Sequence, residues 1–282
     1  MNHDTDDTAI DRHPSGLHIA IHEKRFADTP VIGGIDFHAE SGDFVALVGP
    51  SGAGKSTLLS LVAGLDNDYD GEITWDGAPL SAPGYSPARL GMMFQEPRLM
   101  PWLTALDNVR LVESGRVASE PGFTSRAAEL LDEVGLGHAH DVFPNHLSGG
   151  MQRRVALARA FTVEPRLLLM DEPFVSLDMP TGNRLRQSLL ALCERHRPLV
   201  LFVTHDLREA LALADRILFM GDTPARVLLD YRVDIERGRH LESAAVADAQ
   251  QVLLARHPDL LSGILDRAAL DDNNKPNGED NR

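Results

Sequence analysis

The sequence predicts an α/β fold with a mainly parallel sheet that helices cover on both faces. Nearly continuous apolar runs at 44–48, 166–172 and 198–205 have the length and composition of buried strands. A helical pattern separates the second and third runs, as the crossover of a parallel sheet requires. A glycine-rich loop follows the first run and leads into a helix, which places a candidate site where that strand ends.

The composition is typical of a soluble globular protein, with 43% apolar and 24% charged residues in a chain of 282. The formal net charge of −15 argues against nucleic-acid binding, because such binding needs an excess of lysine and arginine. The single Cys193 cannot form an internal disulfide, and we expect a small core residue in a reducing compartment. Residues 1–11 lack the order of a signal peptide, and no apolar run approaches the roughly 20 residues of a membrane helix. We therefore expect a chain that does not cross a membrane alone.

The N-terminal part of the chain predicts strands and turns. Residues 1–15 are polar and are expected to form a disordered tail. Apolar residues alternate along 17–26 and 35–39, which predicts two half-exposed strands before the glycine-rich loop. A turn at 67–71 is expected to precede a short strand at 72–75.

The rest of the chain predicts mostly helices. Helical segments are expected at 106–112, 125–134, 150–161, 181–196, 207–214 and 241–256, and further strands at 90–95, 216–220 and 227–231. Residues 271–282 are polar and are expected to be a second disordered tail.

The glycine-rich loop matches a phosphate-binding pattern at every fixed position. It consists of Gly49, Pro50, Ser51, Gly52, Ala53, Gly54, Lys55, Ser56 and Thr57. The glycines let backbone amides approach an anion at a helix N-terminus, Lys55 adds a charge for the β- and γ-phosphates, and Ser56 can bind magnesium. A plain glycine-rich turn is the alternative, but the strand and helix around the loop favour a nucleotide site.

Two acidic residues end the strand at 166–172. Adjacent residues of a strand point to different sides, so Asp171 and Glu172 are expected to have different roles. Asp171 suits a magnesium ligand, and Glu172 suits a general base that polarises a water aimed at the γ-phosphorus. Taken alone, the pair could equally be a solvated strand end.

A second helix start also suits an anion. Ser148 is a good N-cap, and Gly149 and Gly150 expose the first amides of the helix that follows. Read alone, this is a capped helix. Read beside the phosphate loop, it suggests a head-to-tail pair of subunits, with each nucleotide between the loop of one chain and the Ser148 helix of the other.

The order of these motifs resembles the nucleotide-binding subunit of ATP-binding-cassette (ABC) transporters over about residues 17–231. The resemblance rests on the phosphate loop, Gln95, residues 147–150, residues 167–172, residues 176–178 and His205. It implies an ATPase with a P-loop NTPase (RecA-like) core, an N-terminal antiparallel β part and an inserted α-helical subdomain. The implied domains are an ATPase domain at 16–235, with its helical subdomain at about 97–160, and a C-terminal helical extension at 236–270.

The resemblance also implies roles for single residues. Gln95 would complete the magnesium and water site, Asp178 would reach across the dimer interface, and His205 would contact the γ-phosphate. Phe26 is the candidate for stacking on adenine, although tyrosine is commoner there. A histidine at a strand end is otherwise more often structural.

Residues 92–109 are similar to the importer branch that handles nitrate, taurine, other aliphatic sulfonates and some pyrimidine precursors. Their exposed apolar side chains would border the groove that receives a membrane permease, unless Trp102 packs internally. The resemblance implies ATP and Mg²⁺, a second copy of the chain, permease subunits, indirectly a solute-binding protein, no nucleic acid, and a peripheral position at the cytoplasmic face of the membrane. The alternatives are an exporter or lipid-transport ATPase, a soluble cassette ATPase, and a regulatory protein whose tail at 241–265 binds a partner.

Overall fold

The computed structural model describes residues 16–80, 89–112, 123–236 and 240–264. The predicted tails at 1–15 and 271–282 lie outside these ranges. The strands are β1 Leu17–Phe26, β2 Thr29–Ile32, β3 Ile35–Ala39, β4 Phe44–Val48, β5 Asp70–Trp75, β6 Ala78–Pro79, β7 Leu90–Met93, β8 Leu167–Asp171, β9 Leu199–Thr204, β10 Arg216–Gly221 and β11 Arg226–Arg232. The helices are α1 Lys55–Val62, α2 Ala105–Arg110, α3 Phe123–Glu133, α4 Gly149–Phe161, α5 Met179–His196, α6 Leu207–Leu213 and α7 Ala244–Arg256.

The main sheet has the strand order β11-β10-β4-β9-β8-β7, and every neighbouring pair is parallel except β10 with β11. Side chains alternate along β4, so Val45 and Leu47 enter one core and Phe44 and Val48 enter another. Both faces of the central strands are therefore covered, which explains why their sequences are continuously apolar. The predicted α/β fold with a mainly parallel sheet is confirmed.

A second, antiparallel sheet is built around the long strand β1, which pairs with β2 and β3 along one edge and with β5 along the other. Its buried residues share one core with α1 and one face of the main sheet. Helix α1 therefore lies between the two sheets. The carboxyl end of β4 delivers the phosphate loop to the edge of this core.

The sequence analysis missed the short strands β2 and β6 and misplaced one turn. Strand β2 contains Pro30, which lowers its strand signal but is tolerated because β2 is an edge strand. The turn predicted at 67–71 was wrong in its second half, since Asp70 and Gly71 pair with β1. Pairing with a long neighbouring strand outweighs the local turn signal of these residues.

The C-terminal residues pack onto the core. Helix α7 begins at Ala244, where Ser243 accepts a hydrogen bond from the Val246 amide, rather than at the expected Leu241. Val246, Leu253 and Leu260 are buried in the larger core cluster. None of the helices in the described ranges is long and apolar enough to span a bilayer.

Candidate functional site

Helix α1 begins differently from α2, α4, α5, α6 and α7. Its N-cap residue, Gly54, has a φ of 70° and offers no side-chain hydrogen bond. Side chains accept hydrogen bonds from first-turn amides at the starts of α2, α4, α5, α6 and α7, through Thr104, Ser148, Asp178, Asp206 and Ser243. The first amides of α1 therefore point at a position that suits an anion, where the helix dipole is also favourable.

The loop before α1 needs glycine where it approaches its neighbours. A methyl group at Gly49 would lie 2.3 Å from the carbonyl oxygen of Met220, at the end of β10. Gly52 has a φ of 84°, in the left-handed region that favours glycine. Gly52 and other residues of the loop line an open cavity of about 400 Å³, to which Val31 and Glu172 also contribute.

Lys55 is buried at the base of this cavity, with 7% of its surface exposed. Its Nζ donates hydrogen bonds to the carbonyl oxygens of Gly49, at 2.9 Å, and Pro50, at 2.7 Å. Burial lowers the pKa of Lys55, while the nearby carboxylates of Glu172 and Asp171 act in the opposite direction. The ammonium group is thus held by the loop itself, next to the uncapped amides of α1.

Ser56 and Asp171 meet at the mouth of the same loop. The Ser56 hydroxyl donates a hydrogen bond of 3.1 Å to an Asp171 carboxylate oxygen. Burial raises the pKa of Asp171, and the neighbouring Glu172 carboxylate adds to this rise, against the hydrogen bond from Ser56. A hydroxyl and a carboxylate side by side are the oxygen ligands that Mg²⁺ prefers, so the residues present fit this ion.

Asp171 and Glu172 do not separate to opposite sides of a strand, so that sequence-based argument was wrong. Strand β8 ends at Asp171, and Glu172 has a φ of 44°, which breaks the alternation. Asp171 bonds Ser56 and Glu172 lines the cavity, so both residues lie beside the phosphate loop. One Glu172 carboxylate oxygen lies 3.4 Å from Nδ1 of His205, just beyond the end of β9.

Arg153 was missed by the sequence analysis. It lies on α4 with 8% of its surface exposed, and it donates a hydrogen bond of 2.6 Å to the carbonyl oxygen of Pro173. A longer contact of 3.4 Å reaches the carbonyl oxygen of Glu172. A buried arginine therefore holds the turn that carries Glu172. No signal in the sequence distinguishes it from Arg154 and Arg159, the half-buried arginines of this helix.

Neither Gln95 nor Phe26 lines the cavity. Gln95 is exposed two residues beyond β7, and the register of Met93 with Met170 places it at the same sheet edge as Glu172. Phe26 ends β1 with 52% of its surface exposed. The ammonium group of the buried Lys24 lies 4.7 Å from the centroid of the Phe26 ring.

The second predicted helix start lies apart from the cavity within one chain. Ser148 caps α4 through the Met151 amide at 3.3 Å, and neither Ser148 nor Gly149 or Gly150 lines the cavity. A methyl group at Gly150 would lie 2.0 Å from a methyl carbon of Thr181, a residue of the α5 N-terminus. Asp178 caps that terminus, accepting hydrogen bonds of 2.9 Å from the amide and the hydroxyl of Thr181.

The chain matches the protein family described as ABC transporter over residues 32–175. It is 44% identical over 258 residues to the aliphatic sulfonates import ATP-binding protein SsuB 2 of Burkholderia cenocepacia (strain HI2424), which covers 92% of each chain. It is 41% identical over 244 residues to SsuB 1 of Xanthomonas axonopodis pv. citri (strain 306), which covers 86% of this chain and 96% of the relative. The fold is also similar to a solved dimeric structure of the ATP-binding cassette MJ0796 in a post-hydrolysis state bound to ADP and Pi, with a TM-score of 0.68, 29% identity, and coverage of 78% of this chain and 100% of that chain. The chain belongs to the ABC transporter family, as an ATP-hydrolysing subunit.

Proposed function

We propose that the chain is the ATPase that drives a binding-protein-dependent importer of aliphatic sulfonates. The observation that carries this proposal is the uncapped N-terminus of α1, with Lys55 buried beneath it and Ser56 bonded to Asp171. The relatives named as aliphatic sulfonate import proteins supply the direction of transport and the class of solute. The exporter and the soluble cassette ATPase have no comparable support.

The residues of the phosphate loop divide the work of binding ATP. The first amides of α1 and the ammonium group of Lys55 would hold the phosphates, since both carry positive charge at a partly enclosed position. Ser56 and Asp171 would hold Mg²⁺, with Gln95 completing its shell. The ion would neutralise charge on the phosphate oxygens during transfer. Phe26 would stack on the adenine.

Glu172 and His205 are proposed to carry the hydrolytic step. Glu172 would polarise the attacking water, and its position in the lining of the cavity supports this role. His205, 3.4 Å from Glu172, would contact the γ-phosphate from the neighbouring strand. Arg153 would keep the Glu172 turn in place by binding the backbone on the carboxyl side of it.

Two copies are proposed to form the complete site. The Ser148 helix start, with Gly149 and Gly150, would face the phosphate loop of the other chain, and the exposed Asp178 would reach across the interface. The dimeric state of the MJ0796 cassette supports this arrangement. ATP binding would close the pair, and hydrolysis would reopen it, because each change of state requires a difference in affinity.

The permease is proposed to dock on the surface around Trp102. This side chain is 70% exposed, so the alternative that it packs internally is wrong. An apolar groove of about 400 Å³ lies nearby, lined by residues that include Phe94, Met100 and Leu111. Docking there would hold the chain peripherally at the cytoplasmic face of the membrane, with a solute-binding protein acting on the other side. The acidic net charge of the chain disfavours nucleic acid as a partner.

The hydrolytic assignment is tested by Glu172→Gln. The variant should bind ATP with unchanged affinity, lose turnover by at least about 100-fold, and accumulate an ATP-bound dimer. The matched control is Glu164→Gln, because Glu164 also has a left-handed φ, of 48°, but is exposed and pairs with Arg126. Rapid turnover by the Glu172 variant would refute the role of the base.

The class of solute is tested by uptake. Cells that carry the chain with its permease should accumulate labelled alkanesulfonates, and this uptake should disappear with Glu172→Gln but persist with Glu164→Gln. Competition by unlabelled taurine and nitrate measures the breadth of the system. Uptake of nitrate without uptake of alkanesulfonates would refute the proposed solute and leave the ATPase assignment intact.

A further inference from the structure

We infer that the C-terminal extension supports the phosphate loop directly, with Gly263 as a positioning residue for ATP binding. The inference rests on the proposed nucleotide site and concerns a segment about 200 residues away from it in sequence. The extension is described for residues 240–264. It reaches the back of the loop through a short 3₁₀ turn, Leu260–Ser262, that follows α7.

Buried side chains anchor the C-terminal extension to the core of the protein. Helix α7 packs against α6, and its Val246 and Leu253 are buried in the main core. Leu260, at the start of the 3₁₀ turn, has none of its surface exposed. Because Leu253 before the turn and Leu260 within it are buried, the core sets the position of Gly263.

Gly263 contacts both the end of β10 and the phosphate loop. Its carbonyl oxygen accepts a hydrogen bond of 3.4 Å from the Asp222 amide, and a methyl group at Gly221 would lie 2.3 Å from that oxygen. A methyl group at Gly263 would lie 2.9 Å from Cγ and 3.1 Å from Cδ of Pro50. Only a hydrogen atom fits between the extension and the Pro50 ring.

A movement of Pro50 would be transmitted to the ammonium group of Lys55, which is proposed to bind phosphate. The carbonyl oxygen of Pro50 accepts a hydrogen bond of 2.7 Å from Nζ of Lys55. The flanks of the loop are closely packed, because an added methyl group would lie 2.3 Å from the Met220 carbonyl oxygen at Gly49 and 3.0 Å from the Ala225 methyl group at Gly54. A push on the Pro50 ring should therefore displace the Lys55 ammonium group or distort the amides beside it.

The first test is Gly263→Ala, measured by equilibrium binding of a fluorescent ATP analogue and by steady-state turnover. The added methyl group overlaps Pro50, so we expect ATP binding to weaken by about five- to tenfold, with KM rising more than kcat falls. Gly263 has a φ of 77°, so alanine also strains the backbone. The matched control is Gly42→Ala, with a φ of 89° and no atom within 4 Å of the added methyl group, which should leave ATP binding unchanged.

A double-mutant cycle separates contact from strain. Pro50→Ala removes the Cγ and Cδ atoms that the methyl group meets, so the effect of Gly263→Ala on ATP affinity should largely vanish when both changes are combined. Gly263→Asn is the variant to use if the alanine protein folds poorly, because asparagine tolerates a left-handed φ while presenting the same Cβ to Pro50.

The outcomes distinguish this inference from the nucleotide site on which it rests. Unchanged ATP affinity in a folded Gly263 variant, or an effect of equal size with and without Pro50→Ala, would overturn the positioning role. Failure of the unmodified chain to bind the ATP analogue would instead refute the proposed site.

Discussion

Asn108→Ala should loosen the loop that carries Trp102 and destabilise the protein without disturbing ATP binding. Asn108 is fully buried at the base of this loop. Its carboxamide oxygen accepts a hydrogen bond of 2.7 Å from the Met100 amide. Its nitrogen contacts the carbonyl oxygens of Met100, Leu103 and Thr104 at 3.1, 3.1 and 2.9 Å. One side chain thus fixes both ends of the turn that presents Trp102.

The magnitude follows from what these groups lose. A buried amide left without a partner costs about 1–3 kcal/mol, and the Met100 amide, in a half-buried bond, should lie toward the lower end of this range. The Asn108 nitrogen has two hydrogens, so at most two of its three carbonyl contacts are full hydrogen bonds, at about 0.5–1.5 kcal/mol each. Since such values are not additive, the free energy of unfolding should fall by about 2–4 kcal/mol.

Urea denaturation measures the loss, and hydrogen exchange locates it. Exchange at the amides of residues 100 and 102–104 should accelerate most, whereas the Leu58 amide, bonded to the Gly54 carbonyl oxygen at the start of α1, should change less. Asn67→Ala is the matched control, because Asn67 is exposed and makes one 3.5 Å contact with the Gly64 carbonyl oxygen, so its loss should cost under about 0.5 kcal/mol. A loss below about 1 kcal/mol for the Asn108 variant, or unchanged exchange at residues 100 and 102–104, would refute the reasoning.

Two further predictions concern α5 and its neighbours. Gly150→Ala would place a methyl group 2.0 Å from Cγ2 of Thr181, so ATP-induced dimerisation, measured by gel filtration, should weaken. Adding Thr181→Ser, which lacks that carbon, should restore dimerisation. No recovery would contradict the steric account. Burial raises the pKa of Glu209 above its ordinary 4.5, despite hydrogen bonds from Thr204 and Arg186, so the folded chain retains a proton that the unfolded chain has lost. As the pH rises from about 4.5, the free energy of unfolding of the unmodified chain should therefore fall relative to that of Glu209→Gln. Urea denaturation of both proteins across this pH range tests the prediction, and parallel pH profiles would contradict it.

The sequence predicts best those parts of the fold that depend on local pattern. Strand β4 has the predicted limits because every one of its residues is buried, and a short continuous apolar run is typical of a strand covered on both faces. The turn at Glu172 could not be predicted, since a left-handed φ at a glutamate depends on contacts from Arg153 rather than on the residue itself. The same holds for Asn108, whose burial depends on the path of the loop around it.

In the candidate site, too, short motifs are predictable from the sequence and contacts between distant segments are not. The phosphate loop is recognisable because its chemistry requires particular residues at fixed spacing within one short segment. Its contact with Gly263 leaves no such trace, because a glycine near a chain end is indistinguishable from a turn residue until the fold brings it against Pro50. Contacts between distant segments are where the sequence alone stops being informative.

The charges around the phosphate loop explain why one chain should be an inefficient ATPase. Lys55 is the only cation among the described residues that line the cavity, and Asp171 and Glu172 oppose it with two carboxylates. The pKa of Asp171 is raised mainly by burial, and the neighbouring Glu172 carboxylate adds to this rise. Mg²⁺ and the α1 dipole would compensate part of the charge of ATP, and the start of a second α4 helix would supply a further dipole. The proposed closure of two copies around ATP would therefore complete an electrostatic balance that a single chain lacks.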